Sequence, residues 1–474
     1  MTNISCPALF ISAPASGQGK TTFTAALARL LTRQGNVVRV FKTGPDYLDP
    51  QILEQASGQP VIQLDMWMAG EEWCQQKLYE AASVADIILI EGAMGMFDGE
   101  PSSADLAVRF KIPLAILMDV KGMAQTAAAI AIGLANFRDD IKIAGMIANN
   151  CGSDRHKQLI EDALPDTLPL LGTLKRSDDM ALPERHLGLV QASEVAAKLE
   201  RCFEAGADCL AAAGMANIID PLEKVAFSPV QNTPPLKPLL TGARIGIAKD
   251  AAFSFIYATN VAVLKDMGAE VIFFSPLHDD ELPEGDALWL PGGYPELHAK
   301  KLSENHAITA QIKAFFTANK PILAECGGSL YCLQTLTDLD EQEYPMLALI
   351  DGYGAMRGKR GCQGMQSAQL PEGEFRAHAH HRSRSHGTPE AYSFGKRQRH
   401  PAPGEAIYRI KGLTASYLHL FFPSNPEALA KMLINFDNKS TINNDLKDIS
   451  NVNCDSNKAL NQVPQAAEKT TNVS

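Results

Sequence analysis

Apolar, β-branched runs alternate with helix-patterned segments from the start of the chain. Ala8–Ala13 reads as a buried strand, and Phe23–Leu31 carries the spacing of a helix behind it. Val37–Lys42, Asp86–Glu91, Ile112–Asp119 and Ile141–Asn149 read as further strands. Strands that are apolar nearly throughout, with helices between them, predict a parallel sheet covered on both faces. Ligands of such sheets collect beyond the strand C-termini. A second series begins at Arg244–Ala248 and runs through Val271–Phe274, Ala287–Leu290 and Pro321–Ala324. Ser228–Pro238 between them is rich in proline and polar residues, the composition of a linker. From about Asn438 large apolar groups become scarce, and such a tail cannot bury enough surface to offset its ordering entropy. The pattern therefore predicts an α/β chain with domains at 1–226 and 243–437, a linker at 227–242 and a disordered polar tail at 438–474.

Composition narrows this picture. A chain of 474 residues is too long for one ordinary core. Its 46% hydrophobic and 20% charged residues are those of a soluble globular protein. No apolar run reaches the roughly 18–20 residues of a membrane span, and Met1–Ser5 lacks the basic region of a secretory signal. A net charge of -11 argues against a nucleic-acid or anionic-membrane surface. Nine scattered cysteines, without a C-x-x-C pair, argue against a disulfide framework or zinc ribbon. These traits fit a cytoplasmic enzyme, and a homodimer is compatible with them.

The chemistry sits at the predicted strand ends. Pro14–Thr22 joins the first strand to the first helix through a Gly-containing turn ending in Gly-Lys-Thr, the context of a phosphate-binding loop. Pro14 stands where the G-x-x-x-x-G-K-[ST] pattern has Gly. Backbone N–H groups and the helix N-terminus would surround phosphate oxygens, so Ser16, Gly17, Gln18, Gly19, Lys20, Thr21 and Thr22 are the candidate nucleotide contacts. Lys20 would neutralise phosphate charge and the Thr21 hydroxyl would hold Mg²⁺. Glu91 and Asp98 flank a Gly-rich turn after another strand, where carboxylates can coordinate Mg²⁺ or hold substrate; Lys42 and Asp46 end the neighbouring strand. Asp49 and Pro50 read as residues that shape the loop or cap the next helix.

In the second half, Pro321–Leu330 is an apolar strand, a turn bearing Cys326, and a helix start, the arrangement of a nucleophile elbow. The helix N-terminus is expected to lower the Cys326 pKa toward thiolate, and His419 is the candidate base. Gly292 and Gly293 end another strand, where their N–H groups would form an oxyanion hole. Together these predict acyl-enzyme chemistry on an amide. His378, His380, His381 and His386 lie among Arg376, Arg382 and Arg384 without a neighbouring Cys or carboxylate in sequence. They read as a basic loop facing a polycarboxylate or solvent rather than as a metal site.

Taken together, the motifs Ser16–Thr22, Gly44–Pro50, Glu91–Gly99, Leu290–Glu296, Ala324–Gly328 and Ala415–Leu420 resemble the cobyrinic acid a,c-diamide synthases, a family of corrinoid amidotransferases. The resemblance runs from about Ala8 to Pro423. It implies a dethiobiotin-synthetase-like, P-loop NTPase-like ATP domain followed by a class I glutamine amidotransferase domain of flavodoxin-like form. It implies ATP, L-glutamine and a corrinoid, cobyrinic acid, as partners, and Mg²⁺ as cofactor. Thr21 and Glu91 are then the metal residues, Lys42, Asp46, Tyr47, Leu48 and Asp98 border the substrate, and Cys326 and His419 are catalytic. The implied reaction is stepwise amidation of the a and c acetates through an acyl phosphate.

The chain departs from the family pattern at Ala379, where glutamate is usual, and at Phe421, where the family's His-Leu-His-Phe has its second His. Ordinary class I amidotransferases place an orienting Glu at that position; the corrinoid enzymes also lack it, so the resemblance implies a Cys–His dyad. Hydrogenobyrinic acid and a nickel sirohydrochlorin are alternative substrates for the same chemistry. A cobyric acid synthase shares the domain pair but is expected to differ at Glu91–Gly99. A regulatory P-loop ATPase is disfavoured by the retained Cys326, both Gly-Gly turns and His419.

Overall fold

The computed structural model describes residues 2–185, 188–189, 195–231, 235–356 and 362–434. His186 and Leu187, part of the expected linker at 232–234, and the whole expected tail from 438 lie outside the described residues. Residues up to Ile434 pack as one compact unit built on two large sheets.

The first sheet is laid out by strands β1 (Ile4–Ser12), β2 (Val38–Thr43), β3 (Ile62–Leu64), β4 (Ile87–Glu91), β5 (Leu114–Asp119), β6 (Ile143–Asn149) and β7 (Leu170–Thr173). They are ordered β3-β2-β4-β1-β5-β6-β7, with each of these pairings parallel. A last strand, β8 (Lys224–Phe227), pairs antiparallel with the start of β1. β4 is buried at every position, as a central strand covered on both faces must be. Helix α1 (Lys20–Arg33) buries Phe23, Leu27, Leu30 and Leu31 against one face, and helix α3 (Ala196–Ala212) packs beside it with Leu199, Phe203 and Leu210. The order places the C-terminal ends of β1, β2 and β4 side by side, which brings the phosphate loop, Lys42 and Glu91 together. Helix α2 (Leu48–Ser57) starts immediately after β2.

The second sheet begins parallel and ends antiparallel. β9 (Arg244–Ala248), β10 (Glu270–Phe274), β11 (Ala287–Leu290), β12 (Ile322–Glu325) and, later, β17 (Leu413–Ser416) form the parallel part. β13 (Cys362–Leu370), β14 (Gly373–His381), β15 (Ser393–Arg397), β16 (Pro403–Ile410) and β18 (Leu418–Leu420) extend it by antiparallel pairings. This corrects the reading of Arg376–Arg384 as a basic loop. Arg376, His378 and His380 lie on β14, and His378 stands directly opposite His419 in the β14–β18 register. The polar residues of β13 and β14 gave no apolar run by which to recognise a strand.

Candidate active site

The loop after β1 is shaped by glycines. Gly17 and Gly19 adopt φ of 77° and 92°, and a Cβ on Gly19 would lie 2.4 Å from Asn149 Nδ2. Only glycine fits there without displacing the strand end. Ser16, Gly17, Gly19, Lys20, Thr21 and Thr22 all line one large cavity. Gln18 departs from expectation: its Oε1 accepts from Asp119 N at 2.9 Å and its carbonyl from Asn149 Nδ2 at 2.9 Å. It braces the loop against β5 and β6 rather than facing the cavity. The Lys20 ammonium donates to the carbonyls of Ala15 (3.2 Å) and Met94 (2.7 Å). Burial first, and then the neighbouring Lys42 charge, lower its pKa to about 8.

Next to it lies a buried charge cluster. Glu91 is fully buried, and its Oε1 accepts from Thr21 Oγ1 at 2.9 Å and Lys42 Nζ at 3.1 Å. Lys42 also pairs with Asp49 at 3.0 Å. Asp46 accepts from the N–H groups of Leu48 and Asp49, and burial together with the Asp49 charge raises its carboxyl to about 7. Asp49, read from sequence as a loop-shaping residue, is therefore a member of the cluster. Lys20 and Lys42 face these carboxyls, and Glu91 Oε2 is buried without a hydrogen-bond partner among the described residues. Such an orphaned oxygen beside a threonine hydroxyl fits a hard divalent cation. Asp98 also lines the cavity, and its Oδ2 accepts from Gly95 N at 3.1 Å, bracing the turn after β4.

Cys326 sits between β12 and the short helix Gly327–Tyr331 with φ 46° and ψ −103°, a strained conformation that costs about 1–3 kcal/mol, and the residue lines the cavity. The turn exists because its neighbours lack side chains. A Cβ on Gly328 would lie 2.0 Å from the Leu290 carbonyl oxygen, and one on Gly292 would lie 2.3 Å from His419 Cε1 and 3.3 Å from Cys326 Cβ. Gly292, Cys326 and His419 thus share one small volume, with Gly293 on its cavity wall.

The electrostatics overturn one expectation. Burial pushes the Cys326 thiol well above its ordinary range, and the Glu296 carboxyl adds to this more than the N–H of Gly327 relieves it. Five residues of helix do not compensate full desolvation. Burial likewise lowers His419 to about 3, so the resting pair is a thiol facing a neutral imidazole. Both His419 nitrogens are without hydrogen-bond partners among the described residues. The ring is held by stacking instead, with Tyr47 and His378 centroids each 5.0 Å away. Phe421 is buried, its ring packed edge-on against Tyr257. Glu325 fixes the strand that carries His419, accepting from Leu420 N at 2.8 Å and Trp289 Nε1 at 3.0 Å.

Tyr47 is where the two halves meet. It leaves the end of β2, and its ring stacks on Phe255 (5.0 Å) and Tyr257 (4.3 Å) beyond β9. Sequence reading missed Phe255 and Tyr257 and read His378 as part of a basic loop. The first two follow a parallel strand end, a position that could have marked them. The cavity, about 1200 Å³, is lined from one half by the phosphate loop, Lys42, Asp46, Tyr47, Leu48, Glu91 and Asp98. From the other half come Gly293, Cys326 and His419.

Comparison with known proteins agrees with this geometry. Residues 9–190 match the CobQ/CobB/MinD/ParA nucleotide binding domain, and residues 244–427 the CobB/CobQ-like glutamine amidotransferase domain. The chain is 50% identical to a hydrogenobyrinate a,c-diamide synthase of Stutzerimonas stutzeri, over 91% of this chain and 100% of that protein. It is 48% identical to one from Pseudomonas aeruginosa, over 91% and 98%. A cobyrinate a,c-diamide synthase of Herminiimonas arsenicoxydans is 44% identical, over 90% and 96%. The chain belongs to the a,c-diamide synthase family. Its P-loop NTPase-like and glutamine amidotransferase halves are those of an ATP-using, glutamine-hydrolysing amidotransferase family. Among the described residues of this a,c-diamide synthase family member, no helix is long and apolar enough to cross a membrane.

Proposed function

We propose that the protein amidates the a and c acetate carboxylates of cobyrinic acid, taking nitrogen from glutamine and driving each step with ATP. The observation that carries this reading is the single cavity shared by the phosphate loop and the Cys326–His419 pair. The ATP-using half is assigned to 1–226 and the glutaminase half to 243–437. His419, neutral at rest, takes the Cys326 proton as the sulfur attacks the glutamine carboxamide. The N–H groups of the Gly292–Gly293 turn are assigned to the oxyanion. Ammonia leaves as the thioester forms, and water then releases glutamate. Ammonia released at Cys326 passes to the phosphate loop through the shared cavity.

At the phosphate loop, a substrate carboxylate becomes an acyl phosphate, and ammonia displaces the phosphate to give the amide. Lys42, Asp46, Tyr47, Leu48 and Asp98 are assigned to the substrate, and Lys20 to stabilising the transferring phosphoryl charge. Thr21 and Glu91 are the residues that would hold Mg²⁺, which neutralises phosphate charge when bound.

The relatives at 50% and 48% identity, both named for hydrogenobyrinate, favour a second reading in which the ring lacks cobalt. Purified protein with ATP, Mg²⁺ and glutamine should add two amides, with one ATP consumed for each, and mass spectrometry on the two rings in parallel identifies the preferred one. No mass gain on either ring overturns the proposal.

The lowered Lys20 pKa yields a further expectation. Above pH 8 the free-enzyme Lys20 is increasingly neutral, and phosphate binding must restore its proton. The dissociation constant of a non-hydrolysable ATP analogue should rise above that pH, approaching roughly tenfold per pH unit. A flat affinity across that range contradicts the role given to Lys20.

A further inference from the structure

The antiparallel layer contains a second cluster of ligating side chains that neither the phosphate loop nor the Cys326–His419 pair uses. Cys362 opens β13, His381 closes β14 directly opposite it in register, and Glu405 lies on β16. The three present sulfur, nitrogen and oxygen atoms within 4.8 Å of one another. Cys362 Sγ lies 2.8 Å from Glu405 Oε1, and His381 Nε2 lies 3.3 Å from Glu405 Oε2.

The orientation of His381 makes this more than a chance grouping. Its Nδ1 lies 3.0 Å from the Ser383 carbonyl oxygen, a partner that can only accept, so Nδ1 carries a proton. Nε2 faces the thiol and carboxylate; burial is outweighed by hydrogen bonding to Cys362 and Glu405, which raises the imidazole to about 9, so a cation would take the place of the Nε2 proton. The imidazole is 91% buried by its 9% exposure, and its plane is fixed by stacking on Tyr417 with centroids 3.9 Å apart. A backbone carbonyl on one ring nitrogen, with the other turned toward further ligating atoms, is the supporting arrangement of metal-bound histidines. Arg397 stands at the edge, 3.8 Å from Cys362 Sγ and 3.9 Å from Glu405 Oε1, and with protonated His381 supplies positive charge when no metal does.

We propose that Cys362, His381 and Glu405 form a binding site for a borderline-soft divalent cation, with zinc the best chemical match, distinct from the Mg²⁺ residues at the phosphate loop. Thiolate, imidazole and carboxylate are zinc ligands, and three of them leave a fourth position for water or another oxygen donor. The cation would tie β13, β14 and β16 together. β14 also carries His378, whose ring stacks on His419. The site would therefore stiffen the layer that lines the shared cavity beside the glutaminase centre.

The test uses the full chain after chelation, titrated with Co²⁺ alone as a spectroscopic probe. Binding of about one equivalent should produce a thiolate-to-cobalt absorption band in the near ultraviolet, bleached when Zn²⁺ is added. Cys362→Ser should lose the band. Cys326→Ser should keep it, which separates this site from the catalytic thiol. Glu405→Gln should keep a thiolate band but need roughly 10- to 100-fold more metal. No band in the unsubstituted protein overturns the proposal without relying on any variant, as does a band that survives Cys362→Ser or disappears in Cys326→Ser.

Discussion

Cys326→Ala is expected to reduce glutamine-dependent amidation by on the order of 10³-fold or more, while amidation supported by added ammonia continues near the unsubstituted rate. Alanine accepts the site sterically. The positive φ of 46° is already borne by a residue with a Cβ, so the exchange adds no new backbone conflict. The elbow is shaped by Gly292, Gly327 and Gly328 and by the β12 strand beneath it, none of which depends on the sulfur. What disappears is the sulfur assigned to form the thioester. Ammonia supplied from solution bypasses that step and meets the acyl phosphate at the phosphate loop. Steady-state rates with glutamine and with ammonium salts, measured on one preparation, decide the matter. If both activities fall together, the two chemistries are not separable in the way the shared cavity implies.

The same elbow shows what the sequence disclosed and what it withheld. Strand limits in the parallel parts were legible because strands buried on both faces must be apolar nearly throughout. Arg244–Ala248 and Ala287–Leu290 are found at the limits read from sequence, and Ile87–Glu91 within one residue. The C-terminal strand ends then located Lys42, Glu91, Cys326 and Gly293 without any tertiary information. The antiparallel layer was not legible. β13 and β14 bury Gln366, Ser367 and His378 among alanines, so their inward positions do not stand out by hydrophobicity. Cys362 and Glu405, separated from His381 by 19 and 24 positions, approach it only through strand pairing. The Cys326 pKa failed for a related reason. The helix N-terminus is visible in sequence, but the desolvation that outweighs it depends on the tertiary packing that buries the elbow.

Glu91→Gln is expected to cut ATP-dependent amidation by roughly 10²–10³-fold, with glutamine and with ammonia alike. The substitution keeps the size of a fully buried side chain and removes its charge. Two consequences follow from the contacts it makes. The Thr21 hydroxyl and Lys42 ammonium, now 2.9 and 3.1 Å from Glu91 Oε1, lose an anionic acceptor. The unpartnered Oε2, the oxygen best placed to meet a cation beside the phosphates, is replaced by a neutral group or by an amide that repels one. Breaking a buried ion pair outright costs about 3–5 kcal/mol. Lys42 nevertheless keeps Asp49 at 3.0 Å, so the fold should survive with a smaller loss, visible as a modest fall in melting temperature. Glutamine hydrolysis without corrinoid should be unchanged, because Cys326 and His419 stand on the other sheet. This pattern is the converse of Cys326→Ala, and the pair of variants assigns each half its step. An ammonia-dependent kcat/KM reduced by less than about tenfold removes Glu91 from the phosphoryl-transfer site and leaves it as the structural counter-ion of Lys42.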